Sequence, residues 1–326
     1  MRRFDYTSAT TLDETIQLLS QDGNGSIRPL AGGTDLLTLM KADITVPIQV
    51  VDIKRLGEIP RGIHETAQGL TLGALTTLTE IEMSELIQQR YPLLAEAAGL
   101  AATPQLRNMA TIGGNLLQRP RCWYFRNAHF HCWLKGGDEC HAREGENQLH
   151  ALIDESPCVA VHPSDLASTL LALDAHVDLR GPNGERTLAI DEFFTLPEQS
   201  HRQESALESN ELVLAIHIPA LPQGARSTYL KAMDRKVWAF ALVGVAAILQ
   251  MQGEMIADAR LVLSGVAPIP WRVPAAEQLL VGQRASEALF ARAAAEALAD
   301  AQPLEHNGYK VPLARSLIQR ALSSLA

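Results

Sequence analysis

Apolar and polar positions alternate in short runs through the first third of the chain. Ile27 to Ala31 reads as a strand entering a Gly-Gly turn, and Asp35 to Lys41 as the beginning of a helix. Gln49 to Ile53 and Leu70 to Leu75 read as further strands, Leu78 to Gln89 as a helix, with more helix around Leu93 to Ala101. The pattern is α/β, without the regular spacing of a doubly wound sheet. Between Gln118 and about Val161 it collapses into aromatics, histidines, glycines and cysteines with no sustained period. A loop of that length inside a compact domain is usually functional, or held by something other than a core.

Regular structure resumes where Ser164 and Asp165 can cap an apolar helix running to about Ala172. A hairpin follows, with His176 to Arg180 and Arg186 to Ile190 around Gly181-Pro-Asn-Gly184, and then a strand from Glu211 to Ile218. Pro219-Ala-Leu-Pro-Gln-Gly224 is the best domain boundary. Beyond it, Thr228 to Met233, Ala241 to Gln250 and Ile256 to Gly265 read as strands, and Ala275 to Ala326 as two or three helices. Neither an internal repeat nor a low-complexity segment is present.

Composition narrows the classes. The length of 326 residues suggests two domains, or one large domain with an appendage; with 47% hydrophobic and 20% charged residues there is ample material for a packed core, and disorder is not expected. A net charge of −9 offers no basic stripe for nucleic acid. The longest apolar run, Phe240 to Leu249, is far too short to span a membrane. Arg2 and Arg3 are followed by Thr7, Ser8, Thr10, Thr11, Asp13 and Glu14 rather than an apolar stretch, so no signal peptide is expected.

Two glycine turns are candidates for holding phosphate. In Arg28-Pro-Leu-Ala-Gly-Gly-Thr-Asp-Leu36 a strand meets two glycines before a helix start, a geometry that lets backbone N–H groups converge on an anion. A strand–helix turn capped by Thr34 or Asp35 would look the same. Thr111-Ile-Gly-Gly-Asn115 repeats the logic about 80 residues later. Neither matches Gly-x-Gly-x-x-Gly, which disfavours a Rossmann dehydrogenase.

All four cysteines, Cys122, Cys132, Cys140 and Cys158, lie in one 37-residue window. Four thiolates suit a tetrahedral metal or an iron–sulfur cluster. The spacing Cys-x9-Cys-x7-Cys-x17-Cys has neither zinc knuckles nor a ferredoxin run, and two disulfides also fit the count. Spacing alone leaves cluster, zinc and disulfides open. His129, His131, His141 and His150 crowd the same window, with His162 just beyond; each is read first as a surface histidine. Ser164 and Asp165 follow the last cysteine closely and could face the same cofactor. Tyr229-x-Lys231, with Arg235 and Lys236, reads first as a solvated basic strand face. Hydrolase motifs are absent.

Taken in order, Ala31-Gly-Gly-Thr-Asp-Leu36, Thr111-Ile-Gly-Gly-Asn115, Ser164-Asp165 and Tyr229-x-Lys231 resemble the FAD-binding medium subunit of molybdenum hydroxylases, over essentially the whole chain. Leu116-Leu-Gln-Arg-Pro-Arg-Cys122, His162-Pro-Ser-Asp-Leu-Ala167 and the four cysteines resemble the subgroup with an extra [4Fe-4S] cluster, nearer its aldehyde oxidoreductase branch than its 4-hydroxybenzoyl-CoA reductase branch. The resemblance implies an α+β fold: a two-subdomain FAD-binding domain over 1–222, with a cysteine-rich iron–sulfur insertion at 118–162, followed by a small α+β domain over 223–326. It implies FAD contacts from Arg28, Pro29, Leu30, Ala31, Gly32, Gly33, Thr34, Asp35 and Leu36. Further contacts come from Thr111, Gly114, Asn115, Leu117, Ser164, Asp165 and Lys231, with Lys231 near the flavin ring and no residue of this chain oxidising the substrate itself. It makes Cys122, Cys132, Cys140 and Cys158 the cluster ligands.

The implied assembly is a heterotrimer with a molybdenum-cofactor large subunit and a [2Fe-2S] small subunit, passing electrons to an external acceptor. Export to the periplasm would depend on a signal-bearing partner, with a cytoplasmic location as the alternative. The competing expectations are a reductase-like or xanthine-dehydrogenase-like subunit and a non-redox, zinc-stabilised binding protein.

Overall fold

The computed structural model describes residues 1–21, 25–153, 155–198 and 200–326. Strands β1 (Asp5–Ser8), β2 (Ile27–Leu30) and β3 (Gln49–Asp52) make a small parallel sheet in the order β1-β3-β2. Strands β4 (Ile63–Thr66), β5 (Gly69–Gly73), β6 (His176–Gly181), β7 (Gly184–Ala189) and β8 (Leu212–Pro219) form an antiparallel sheet in the order β4-β5-β8-β6-β7. After Pro219 a second antiparallel sheet, ordered β12-β11-β10-β9, is built from β9 (Ala225–Ala232), β10 (Val243–Gln252), β11 (Met255–Ser264) and β12 (Trp271–Arg272). The expected larger mixed domain and smaller α+β domain are therefore both found.

Helix ends follow local chemistry. The single helix expected over Leu78 to Gln89 is two, Leu78–Met83 and Glu85–Arg90. Ser84 leaves the helical region at φ −72°, ψ 115°, and its Oγ accepts from the Ile87 N–H, so the serine caps a new helix instead of continuing the old one. Two elements escaped the sequence reading near the start. Strand β1 and the helix Leu12–Ser20 are formed there, the latter capped by Thr11 accepting from Glu14 N at 3.1 Å. The tail forms three helices, Pro274–Leu280, Glu287–Glu296 and Lys310–Leu325.

Strand β10 explains the long apolar run at Phe240 to Leu249. Successive strand side chains point to opposite faces. Val243, Val245, Ala247 and Leu249 enter the core shared with the three C-terminal helices, while Ala246 and Ile248 enter the core of the first domain. Both faces are buried, so both register positions are apolar. The cysteine-bearing segment contains one turn of 3-10 helix, Trp133–Lys135, among its described residues. Its end is fastened to the second domain: Leu152 and Ile153 donate to Val266 O at 2.7 and 3.0 Å and pack into the C-terminal core.

Candidate functional site

The first glycine turn leaves β2 and leads into the short helix Leu36–Lys41. Gly32 allows no side chain, because a Cβ there would fall 1.8 Å from the Met109 carbonyl oxygen. Gly33 has φ +71°, a left-handed conformation that glycine adopts without strain. None of the backbone N–H groups from Ala31 to Leu36 reaches an acceptor among the described residues, and all six residues are partly exposed. A row of unbonded amides in a bend is a concave electropositive surface suited to an anion. Arg28, Pro29 and Leu30 form the strand end that leads into it.

The second turn is built differently. Ile112 N donates to Thr76 O at 2.8 Å, Gly113 N to Ala74 O at 3.0 Å, Gly114 N to Thr111 Oγ1 at 3.2 Å and Asn115 N to Thr111 O at 2.8 Å. Its amides are already used, so the symmetry of two phosphate-gripping turns does not hold. What it offers is close approach at exposed Gly114 and side chains at Thr111 and Asn115. The turn sits directly after Met109, so Gly32 presses the first turn against the second. Leu117 ends this short helix and packs on the main core.

Ser164 and Asp165 join the same region. Ser164 Oγ accepts from Ala167 N at 3.0 Å, as an N-cap should, and donates to Asn115 Oδ1 at 2.5 Å. Asp165 holds a buried pair: Lys231 Nζ lies 2.7 Å from its Oδ2, and Tyr229 donates from its hydroxyl to Oδ1 at 2.6 Å. Lys231 also donates to Leu100 O at 3.1 Å, and Tyr229 shares a 2.9 Å hydrogen bond with Ser264. Burial and the Asp165 charge raise the Tyr229 pKa well above its usual value. The solvated-face reading is thus wrong for Tyr229 and Lys231, whose side chains are inside; only Arg235 and Lys236 remain exposed. Lys231 meets the cleft through Asp165, which, with Ser164 and Ser264, lines its wall. The same cleft is lined by Arg121, Cys122 and Trp123 and by the segment from Asp234 to Phe240.

The four cysteines are free thiols gathered in one apolar nest. Cys132 and Cys158 are buried beside Phe125, Trp133, Leu134 and Ala160, with Cys122 and Cys140 packed against them. A hydrogen bond from Cys158 lowers the Cys140 pKa against the effect of burial, and the same bond raises Cys158 well above the usual thiol value. Burial pushes Cys122 up to about 11. Among the described residues no three His, Cys, Asp or Glu side chains are grouped to hold a metal ion. His129 and His131 are exposed and His141 lies 3.2 Å from Glu139. His162 and His150 correct the surface expectation. Both are buried; desolvation lowers their pKa values to about 3 and about 4.

The sequence reading missed the struts between the thiol nest and the first turn. Asp35 accepts from Arg119 N at 2.9 Å, Arg126 Nη2 at 2.8 Å and Arg121 Nη1. Burial pushes the Asp35 pKa up, but Arg121, Arg126 and the Arg119 N–H outweigh it and hold the carboxyl below its ordinary range. Both oxygens of Asp35 are therefore engaged by the cysteine-bearing segment, and Asp35 makes no side-chain cap on its own helix. The available signal was three arginines within eight residues of a segment without periodicity.

Comparison with known proteins bears on this geometry. Residues 2–221 match the FAD binding domain in molybdopterin dehydrogenase, and residues 228–325 match the CO dehydrogenase flavoprotein C-terminal domain. The aldehyde oxidoreductase FAD-binding subunit PaoB of Escherichia coli (strain K12) is 37% identical over 99% of this chain and 98% of its own length. The carbon monoxide dehydrogenase medium chain of Hydrogenophaga pseudoflava is 32% identical over 99% of this chain and 96% of its own. A solved structure of the Hydrogenophaga pseudoflava carbon monoxide dehydrogenase, lacking the Mo-pyranopterin moiety, superposes with a TM-score of 0.79. It covers 99% of this chain and 97% of its own, at 31% identity.

Proposed function

The chain belongs to the FAD-binding medium-subunit family of the molybdopterin dehydrogenases and is an oxidoreductase subunit, and on that premise we propose that it is the electron-transfer subunit of a heterotrimeric aldehyde oxidoreductase, carrying FAD and a [4Fe-4S] cluster. Its partners are a large subunit with the molybdenum cofactor, where substrate is oxidised, and a [2Fe-2S] small subunit that delivers electrons. This chain passes them to an external acceptor. The aldehyde assignment draws on the 37% identity to the Escherichia coli relative. The FAD-binding domain spans 1–222, with the cluster segment at 118–162, and the C-terminal domain spans 223–326. Export with a signal-bearing partner places the enzyme in the periplasm; a cytoplasmic enzyme is the alternative.

The observation that carries the FAD reading is the row of unbonded amides from Ala31 to Leu36 beside the second glycine turn. When bound, FAD exchanges electrons in steps of one or two. The chain's own residues bind and orient it. Arg28 to Leu36 hold the diphosphate, while Thr111, Gly114, Asn115 and Leu117 form the adjoining floor. Ser164 and Asp165 bind from the cleft wall. Lys231 acts through Asp165, holding its carboxylate in place with a 2.7 Å ion pair.

Cys122, Cys132, Cys140 and Cys158 ligate the cluster. Four thiols brought together in one apolar nest from a 37-residue window supply the number of ligands that a [4Fe-4S] cluster takes. The test is anaerobic absorption of the purified chain, with flavin, iron and labile sulfide measured on one sample. FAD with four iron and four sulfide per FAD is the expected result. FAD without iron would remove the cluster, and a chain that takes up no FAD would remove the flavoprotein reading.

A further inference from the structure

The cysteine-bearing segment supplies a wall of the cleft that the glycine turns do not. Besides Arg121, Cys122 and Trp123 it contributes Leu149 and His150. His150 is 2% exposed, and neither ring nitrogen has a hydrogen-bond partner among the described residues. Burial, then the Lys310 charge, lower its pKa to about 4, while the Asn147 backbone pulls weakly the other way without reaching bonding geometry. The ring is therefore neutral at pH 7, with one N–H donor and one lone pair.

Although its ring nitrogens are unpaired, the backbone of this histidine is fastened by buried side chains. Asn307 Nδ2 donates to the carbonyls of His150 and Ala151 at 3.2 and 2.8 Å. Lys310 Nζ donates to His150 O at 2.9 Å and Gly265 O at 2.8 Å. The Trp123 ring meets the imidazole edge-on, 5.4 Å between centroids. Buried polar atoms left unpaired destabilise a fold, and such a group clamped beside a cleft marks a place where a ligand completes the pairing.

We propose that His150 is a cofactor-contacting residue that hydrogen-bonds the polar edge of the flavin ring in the cleft it lines together with Ser164 and Asp165. The inference rests on the FAD reading above. A flavin's polar edge alternates carbonyl oxygens with ring nitrogens, so it needs neutral donors and acceptors together, and a neutral imidazole supplies both. The diphosphate already has the amide row from Ala31 to Leu36. Cys122 lines the same cleft and packs against the thiol nest, so a ring seated in the cleft adjoins that nest.

Full-length protein stripped of flavin is titrated with FAD, following flavin fluorescence, and the midpoint potential of the bound flavin is then measured. His150→Phe keeps the packing on Trp123 but loses both polar atoms; it is expected to weaken FAD about tenfold and to shift the potential. His150→Gln, which carries a donor and an acceptor, is expected to restore much of both. Wild-type affinity and potential in the Phe variant would overturn the proposal, as would weakened binding with an unmoved potential, which puts the ligand contact elsewhere on the cofactor. If the wild-type chain itself binds no FAD, the flavoprotein reading fails, a result distinct from either.

Discussion

Lys231 Nζ lies 2.7 Å from Asp165 Oδ2, with side-chain exposures of 1% and 5%. This buried pair joins β9 to the first residue of the helix Asp165–Ala172 and so ties the second domain to the cleft lining. Removing the cation leaves a buried carboxylate with the Tyr229 hydroxyl as its remaining partner. Lys231→Met is expected to cost about 3–5 kcal/mol in urea unfolding, and Lys231→Met with Asp165→Leu distinctly less, because the uncompensated charge is then gone. Equal losses in the two proteins would show that the pair is not an electrostatic unit.

Gly32→Ala tests whether the two glycine turns depend on their mutual approach. Its Cβ would meet main-chain atoms of Met109, not a flexible side chain, so the turns must separate. Overpacking of this kind costs about 1–3 kcal/mol. The expected outcome is a protein that still folds but copurifies with little FAD, read from the ratio of flavin absorbance to protein. Full flavin occupancy would mean that the amide row does not require the second turn behind it.

Asp35 carries a pH dependence of known sign. Its folded pKa is held below the unfolded value of about 3.9, so it adds stability above that pH and loses it as pH falls through the folded value. Asp35→Asn should be less stable than the parent at pH 7. The gap should close under acid, as followed by denaturant midpoints between pH 7 and pH 3. A gap independent of pH would assign the effect to packing alone.

How much of this was legible in the sequence depends on whether the signal was local. Strands such as β10 and turns such as Gly181 to Gly184 announce themselves through periodicity and glycine chemistry, and Ser164 was visible as a cap. Ser84 was overlooked because a serine inside an amphipathic run reads as helix until its side chain is seen to bond forward. Tyr229 and Lys231 were misjudged because their partner Asp165 is over sixty residues away, and a basic strand face looks solvated without it. The same limit hid the Asp35 struts and His150, whose roles rest on contacts 84 to 160 residues apart in sequence.

The thiol nest and the cleft share residues, which decides what loss of the nest should do. Cys122 and Arg121 line the cleft, and Arg121 also bonds Asp35 behind the first glycine turn. Cys132→Ser is therefore expected to lose iron and to weaken FAD binding as well, measured by metal analysis and flavin titration. Iron loss with unchanged FAD affinity would show that the two sites fold independently.

Lys310 is fully buried at the start of the last helix, with two backbone carbonyls as its partners, and burial lowers its pKa to about 7. His150, the titratable group beside it, is neutral throughout this range because its own pKa is about 4. Between roughly pH 7 and pH 10 the unfolded chain holds a proton on this lysine that the folded chain has released. Unfolding then takes up a proton, so stability rises with pH across that window, by up to about 1.4 kcal/mol per pH unit from this one group. Lys310→Met keeps most of the side-chain volume but has no proton to exchange. Unfolding free energies at pH 7 and pH 9 should thus rise more for the parent than for the variant, by about 1–3 kcal/mol. Parallel pH profiles for the two proteins would mean that the lysine stays charged in the fold, with the carbonyls of His150 and Gly265 enough to hold it so.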